Sequence, residues 1–442
     1  MRSRVAILLL LLSAPVAAQE SRLQSDVRRE GQDLQASCLS GFDAKKAVGC
    51  AVTLATDDPF HVAIGSLSPL NGTGFGLGFA EHVTPNDQWR ISFNADGVVA
   101  TSGSWRAGLY VKFIHIPERP GIVVVRPGDR PSDRPPSVTI TEYPVFNLYA
   151  QTISLANLVV TSGQDPFSEK QTIAGGRVTY PITQVAALRG LHPEAVGAVN
   201  ARFLSLHSDA FQLDAQPVFG QFEEGLRITP ALFGDRLQFN YLVDAQQFVT
   251  SSPTATSFHR WTVDLRHKIP LYSTATSTGP KETNGPDECF QSVGSSQCPP
   301  VTYSRNLEGS VGLRLLSVRS GDSVPFYFQP TLGGSDINGE RLLAGYDDYR
   351  FRGPNLLAFQ ESIEHSVWGP VGVYALVEEG RITDGGLLGT DGFKNSFAVG
   401  LTLRAGGFPL VNISFAWGSD GHHIIGSIDP SLLGGSSRPS LY

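Results

Sequence analysis

The chain has 442 residues, 47 of them Gly and 29 Pro, with 10% aromatic and 17% charged residues; 41 acidic against 34 basic side chains give a formal charge of −7. A charged fraction well below the roughly 25% of ordinary soluble domains, together with this much glycine, excludes coiled coils and disorder. No internal apolar run reaches the ~20 residues of a membrane-crossing helix, and the acidic balance argues against nucleic acid, whose phosphates need clustered positive charge.

The first 18 residues read as a secretory signal: Arg2 and Arg4 supply the positive start, Val5 to Leu12 the apolar core, and Val16-Ala17-Ala18 the small-residue cleavage site. Cleavage after Ala18 takes the formal charge from −7 to −9, because two arginines leave and no acid does. Residues 19–59 form a short leader holding Cys38 and Cys50; Cys289 and Cys298 form a second close pair. In an exported chain with no histidines at ligand spacing beside them, these pairs read as two local disulfides and not as a zinc site.

From residue 60 to 430 apolar and polar residues alternate with period two, the pattern of strands with one apolar and one wet face. Trp105, Ala107, Leu109, Val111 and Phe113 oppose Arg106, Gly108, Tyr110 and Lys112, and Trp261, Val263 and Leu265 oppose Thr262, Asp264 and Arg266. The same holds around Trp89 to Asp96, Leu237 to Asp244, Phe397 to Leu403 and Val411 to Trp417. Charges and amides recur on one face across at least ten segments, as expected when lipid bathes the apolar face and water fills the interior. The fold class predicted is all-β: a transmembrane antiparallel up-and-down β-barrel of about sixteen strands. A secreted soluble β-sandwich or adhesin is the more distant alternative.

Taking Gly74 to Val83 as strand one gives eleven strands up to Phe326-Tyr327-Phe328-Gln329 and five after a long loop. In this count residues 118–136, 274–306 and 332–355 are long outer loops and Arg319–Ser323 an inner turn. Three connectors fit it poorly: the tight Phe233-Gly234-Asp235 on the outer side, and the longer 209–217 and 250–259 on the inner side. Residues 431–442 read as a flexible Gly/Ser tail.

Three consecutive pieces carry a resemblance: Phe-Gln-Pro-Thr-Leu-Gly-Gly at 328–334, Leu-Ala-Gly-Tyr-Asp-Asp-Tyr-Arg-Phe-Arg-Gly at 343–353, and Tyr-Ala-Leu-Val-Glu-Glu-Gly-Arg at 374–381. In this order they resemble the bacterial surface antigen barrel domain of the BamA/TamA-type outer-membrane assembly and secretion superfamily. The resemblance implies a long sixth outer loop folded into the lumen, whose tip arginine pairs with an acid on strand thirteen. Here the tip, Leu343-Ala344-Gly345-Tyr346, has no arginine, while Glu378, before Gly380, occupies the acidic position. A carboxylate without a cation in such a site is costly, so either Arg350 or Arg352, flanking Phe351, replaces the lost charge, or lumen water hydrates Glu378. Strand twelve departs too, with Ser362 and Glu364 where the family commonly has Glu-x-Arg. With only residues 19–59 ahead of the barrel, the chain resembles a branch lacking periplasmic modules.

The loop-plug motif is thus Gly345, Tyr346, Arg350, Phe351 and Arg352, set against the strand-thirteen wall at Glu378 and Gly380. A second candidate is the seam between the first and last strands, weakened by Gly74, Gly76 and Gly78 on one side and by Gly426 and Pro430 on the other. In the superfamily, parting of that seam lets substrate strands pair with the barrel edge. His422 and His423 point to opposite faces and do not make a metal site. Asp96, Asp244 and Asp264 read as hydrated lumen carboxylates. No nucleophile elbow, zincin helix or phosphate loop occurs, so neither an enzyme nor a cofactor or metal is expected. The functional expectation is a monomeric bacterial outer-membrane barrel, bathed in membrane lipid, that assists movement or insertion of unfolded outer-membrane or secreted polypeptides, or of lipid. The alternative is a passive pore or structural surface antigen that has lost this machinery.

Overall fold

The computed structural model describes residues 59–86, 88–115, 143–182, 191–232, 237–278, 302–321, 323–368, 371–386, 392–405, 408–428 and 438–442. Residues 1–58, which include the expected signal segment and all of the expected leader but Pro59, and all four cysteines lie outside the described residues.

Among the described residues, sixteen strands build the wall: β1 (Phe60–Ser66), β2 (Thr73–Asn86), β3 (Trp89–Val99), β4 (Trp105–His115), β5 (Val145–Leu158), β6 (Phe167–Pro181), β7 (Pro193–Ser208) and β8 (Val218–Ile228). They continue as β9 (Leu237–Val249), β10 (Phe258–Thr278), β11 (Thr302–Ser320), β12 (Asn355–Trp368), β13 (Val371–Thr383), β14 (Lys394–Ala405), β15 (Phe408–Gly418) and β16 (Gly421–Ile428). Each pairs antiparallel with its neighbours in chain order. Among the described residues no ladder joins β1 to β16.

Period-two sequence becomes a two-faced wall. Along β7, Val196, Ala198, Asn200, Arg202, Leu204 and Leu206 are buried while Val199 and Phe203 are exposed. The outward face is apolar all round, with Leu77 71%, Leu109 61%, Trp261 52% and Ile424 77% exposed. A water-soluble monomer rarely leaves so continuous an apolar band uncovered, whereas a barrel turns such a band toward hydrocarbon. Inward lie Arg106, Gln151, Gln171, Arg202, Asp244, Asp264 and Glu378, so the polar face is the lumen face. The architecture is a transmembrane up-and-down β-barrel.

The connector from 321 to 354, between β11 and β12, fills the lumen and shows that the sheet wraps around it. It touches β13, β14 and the β15 end on one side, β10 and β11 on another, and the turns after β1 and β5 on a third. Below it an aromatic layer closes the interior: Phe219, Phe248, Phe258 and Phe328 meet with Phe248 stacked on Phe258 at 4.4 Å and Phe219 edge-on to Phe328 at 5.2 Å. Each such side chain contributes about 1.5–3 kcal/mol by its burial.

The count of sixteen holds, but two strands differ from the reading of the sequence. The edge strand is Phe60–Ser66, so Gly74, Gly76 and Gly78 sit one strand inside the edge, in β2, flanked by β1 and β3. Phe326–Phe328 is a 3-10 turn and not a strand; Pro325 and Pro330 bracket it, removing two ladder donors. One missed strand and one surplus strand cancel in the total but shift every connector between them to the opposite end. Residues 209–217 and 250–257 therefore leave the wall at the end where the 321–354 loop enters, and 229–236 at the other, which removes the three misfits. The long connectors after β4 and β10 leave from the end opposite the plug, not beside it.

Candidate functional site: the plugged lumen

The loop begins with Phe326–Phe328, then folds on itself through a two-residue ribbon in which Thr331 and Leu332 pair with Arg352 and Phe351. Between the ribbon strands, Gly333 and Gly334 turn the chain at φ +100° and +59°. A side chain at Gly334 would meet the Asp348 backbone at 2.6 Å as well as the left-handed strain, so glycine is required there. Beyond it, Asp336 accepts main-chain N–H bonds from Asn338 (2.9 Å) and Glu340 (2.8 Å), closing a small hairpin tied by the Ser335–Arg341 bridge. Burial first, and the Glu340 carboxylate second, push the Asp336 carboxyl up to about 7 against those two hydrogen bonds.

The tip docks through main chain. Ala344 N–H donates to Glu378 Oε2 at 2.5 Å, and Gly345 N–H donates to Ser396 Oγ at 2.7 Å. Gly345 lies so close to β15 that a Cβ would stand 2.2 Å from the Trp417 carbonyl carbon, and a Cβ on Gly418 would stand 2.5 Å from the Gly345 oxygen. Tyr346 is buried, accepts from Ser419 Oγ at 3.0 Å and packs edge-on to Phe351 at 5.6 Å. Gly380 leaves room for Leu332: a Cβ there would sit 3.1 Å from its Cδ1.

Glu378 is 1% exposed and takes its second hydrogen bond from the Gln360 amide at 2.7 Å. Neither expected arginine reaches it. Arg350 pairs with Asp420 in the β15–β16 turn. Arg352 spends its guanidinium on main-chain oxygens, those of Val160 (2.6 Å), Phe326 (2.8 Å) and Val159 (3.1 Å), across the lumen from Glu378. The missing tip arginine is replaced by a peptide N–H and a carboxamide, with the Arg341 guanidinium near enough to feel the charges of Asp348, Tyr374 and Glu378.

Sequence reading missed the hairpin's anchor. Glu340 meets Arg314 at 2.7 Å and Arg266 at 3.3 Å, and both arginines also hold Asp264, Arg314 with two nitrogens at 2.9 Å each. Alternation put Arg266 on the wet face of β10, but nothing in the spacing named a loop residue as partner. Tyr349, fully buried, shares a 2.7 Å hydrogen bond with Ser68 in the turn after β1. Of the adjacent histidines, His422 stacks on Phe415 at 5.3 Å and His423 faces Asp347 at 3.9 Å. Gly426 lies in β16, the last strand, paired with Ile413 of β15. The Gly78 position accommodates the His61 ring of β1, whose Nε2 a Cβ would approach to 2.2 Å.

The segment expected to hang free as a tail also ends in the lumen. Arg438 reaches Asp96 of β3 at 2.6 Å, and residues 440–442 lie against Arg202, Gln171, Asn338 and Thr331.

No family model and no curated protein matches this sequence. Solved structures do match the fold. CdiB from Acinetobacter baumannii is similar with a TM-score of 0.50 at 10% identity, over 81% of this chain and 56% of that one. CdiB from Escherichia coli gives 0.50 at 10% identity, over 83% and 60%. BamA from Haemophilus ducreyi lacking POTRA domains 1-3 gives 0.47 at 10% identity, over 84% and 70%. This chain thus spans under two thirds of the length of the CdiB structures it matches. The wall shares the fold of the CdiB barrels.

Proposed function

We propose that this protein is a monomeric outer-membrane barrel of the BamA/TamA type that moves or inserts polypeptide, or lipid, across a lumen its own loop keeps shut. The observation that carries this reading is the docked loop: a passive pore needs an open lumen, whereas here residues 321–354 are fastened to wall strands on several sides. A removable obstruction is the mark of a gated path. The seam between β1 and β16 adds support: among the described residues no ladder joins these strands, and a strand edge is a template on which an extended polypeptide adds by main-chain hydrogen bonds. The edges that would receive a strand are residues 61–66 on one side and Gly421–Ile428, including Gly426, on the other.

The test is single-channel conductance of the protein in planar bilayers. The intact chain should show a low baseline with brief openings, and deletion of residues 335–353 should give a large, steady conductance. A large steady conductance in the intact chain, unchanged by that deletion, would overturn the gated reading in favour of a passive pore.

A further inference from the structure

The lumen contains a built cradle for a peptide main chain. Arg202, 1% exposed, directs one guanidinium nitrogen at two carbonyl-side oxygens of residues 438–442, those of Ser440 and Tyr442, at 2.8 Å each. Gln171, fully buried, donates to the Leu441 oxygen between them at 3.3 Å. Asn338, on the plug hairpin, accepts from Leu441 N–H at 2.7 Å and donates to Ser440 Oγ at 3.2 Å. Three successive carbonyl oxygens and one N–H are thus read by side chains, a recognition that depends on extended backbone more than on sequence. Side-chain preference comes from two neighbouring sites. Leu441 enters the apolar cluster that includes Ile173, Leu204 and Phe328. Tyr442 lies under the Arg260 guanidinium at 5.5 Å and shares a 3.0 Å hydrogen bond with Thr331.

The cradle has capacity left over. Among the described residues, Arg202 Nη1 and Gln171 Oε1 are buried without a hydrogen-bond partner, one a donor and the other an acceptor. A buried guanidinium N–H and amide oxygen left unpaired are expensive. Arg202 itself is held in position by Nε donating to Gln221 Oε1 at 2.7 Å, and that oxygen is also bonded by Asn200. Residues 438–442 therefore engage the cradle without saturating it.

We propose that Arg202, Gln171 and Asn338 form a lumen binding site for an extended polypeptide bearing an apolar residue followed by an aromatic one, which the chain's own residues 438–442 fill as an internal competitor. The proposal deepens the polypeptide-handling reading and rests on it for its purpose. Because Asn338 and Thr331 belong to the plug while Arg202 and Gln171 belong to β7 and β6, the occupant ties plug to wall. A competing polypeptide that displaces residues 438–442 cuts that tie as it binds.

The experiment is equilibrium binding of a fluorescent peptide, Arg-Pro-Ser-Leu-Tyr, to the full chain in detergent or nanodiscs, read by anisotropy. In the wild type the tethered segment competes at an effective concentration on the order of millimolar, so binding is weak. Leu441→Asp, which expels the segment from its apolar site without touching the cradle, should raise affinity at least tenfold. Adding Arg202→Ala to that variant should return it to wild-type weakness or below. In the same Leu441→Asp background, Asn338→Ala, at an exposed hairpin position that leaves the wall intact, should cost several-fold and covers the case in which Arg202→Ala fails to fold. Equal binding by wild type and Leu441→Asp, or unchanged binding when Asn338 is altered, would overturn the proposal. The readout needs no transport, so a bound peptide with an ungated conductance trace would sink the transport reading alone.

Discussion

Two of the plug's anchors work by opposite means. At its tip, residues 343–346 meet β13–β15 through peptide groups and bare glycine, in a buried setting where, among the described residues, Glu378 takes N–H donors and no cation within hydrogen-bond reach. At its hairpin, Glu340 rests on Arg314 and Arg266 in a half-exposed ion network. Close packing dominates the first and charge the second. Salt should act on the hairpin and leave the tip alone.

The largest effect expected is that of Gly345→Val. Its branched side chain has no space against the Trp417 main chain, a clash at or above the upper end of the ~1–3 kcal/mol typical of overpacking. The closed fraction in conductance traces should collapse, equally in low and high salt. Glu378→Ala comes next: it leaves the Ala344 N–H buried without its acceptor, a loss of about 1–3 kcal/mol, and its openings should also be insensitive to salt. Glu340→Ala removes a partly exposed ion pair worth roughly 0.2–1 kcal/mol, and its effect should vanish at 1 M salt, where the screening length falls to about 3 Å. A salt-dependent Gly345→Val, or a salt-independent Glu340→Ala, would erase the distinction between the two anchors.

A separate effect concerns pH. Asp336 titrates near 7 in the docked hairpin against an ordinary value of 3.8. A raised value means that docking favours the protonated form, so this contribution is full below pH 3.8 and drains away as pH climbs through 7. Openings should therefore grow more frequent between pH 5 and pH 8, and Asp336→Asn should flatten that slope.

Much of this was legible in the residues. Alternation across β4 and β10 fixed which side chains face lipid, because the two-residue period of a strand leaves no freedom once one face is apolar. The ordered motifs at 328–334 and 343–353 located the plug, and Gly345 is where its backbone closes on the wall. The misreadings have physical causes. Phe60–Ser66 is only seven residues long and ends in a turn of Leu, Ser and Pro, so its alternation is brief. Phe326-Tyr327-Phe328 looks like a strand by composition, yet Tyr327 and Phe328 are both buried and the segment is bounded by prolines. Arg350 and Arg352 meet Asp420 and main-chain oxygens and not Glu378, because spacing along an extended segment does not tell which distant group a guanidinium will meet. The docking of residues 438–442 could not be read at all: its partners come from strands more than two hundred residues upstream.

Two adjacent residues of the plug carry one further consequence. Tyr349 bonds Ser68, in the turn that follows β1, and Arg350 bonds Asp420, in the turn that precedes β16. One turn follows the first strand of the wall and the other precedes the last. A single dipeptide thus ties the two ends of the sheet to the same loop, so that a displacement of residues 349–350 would reach both at once.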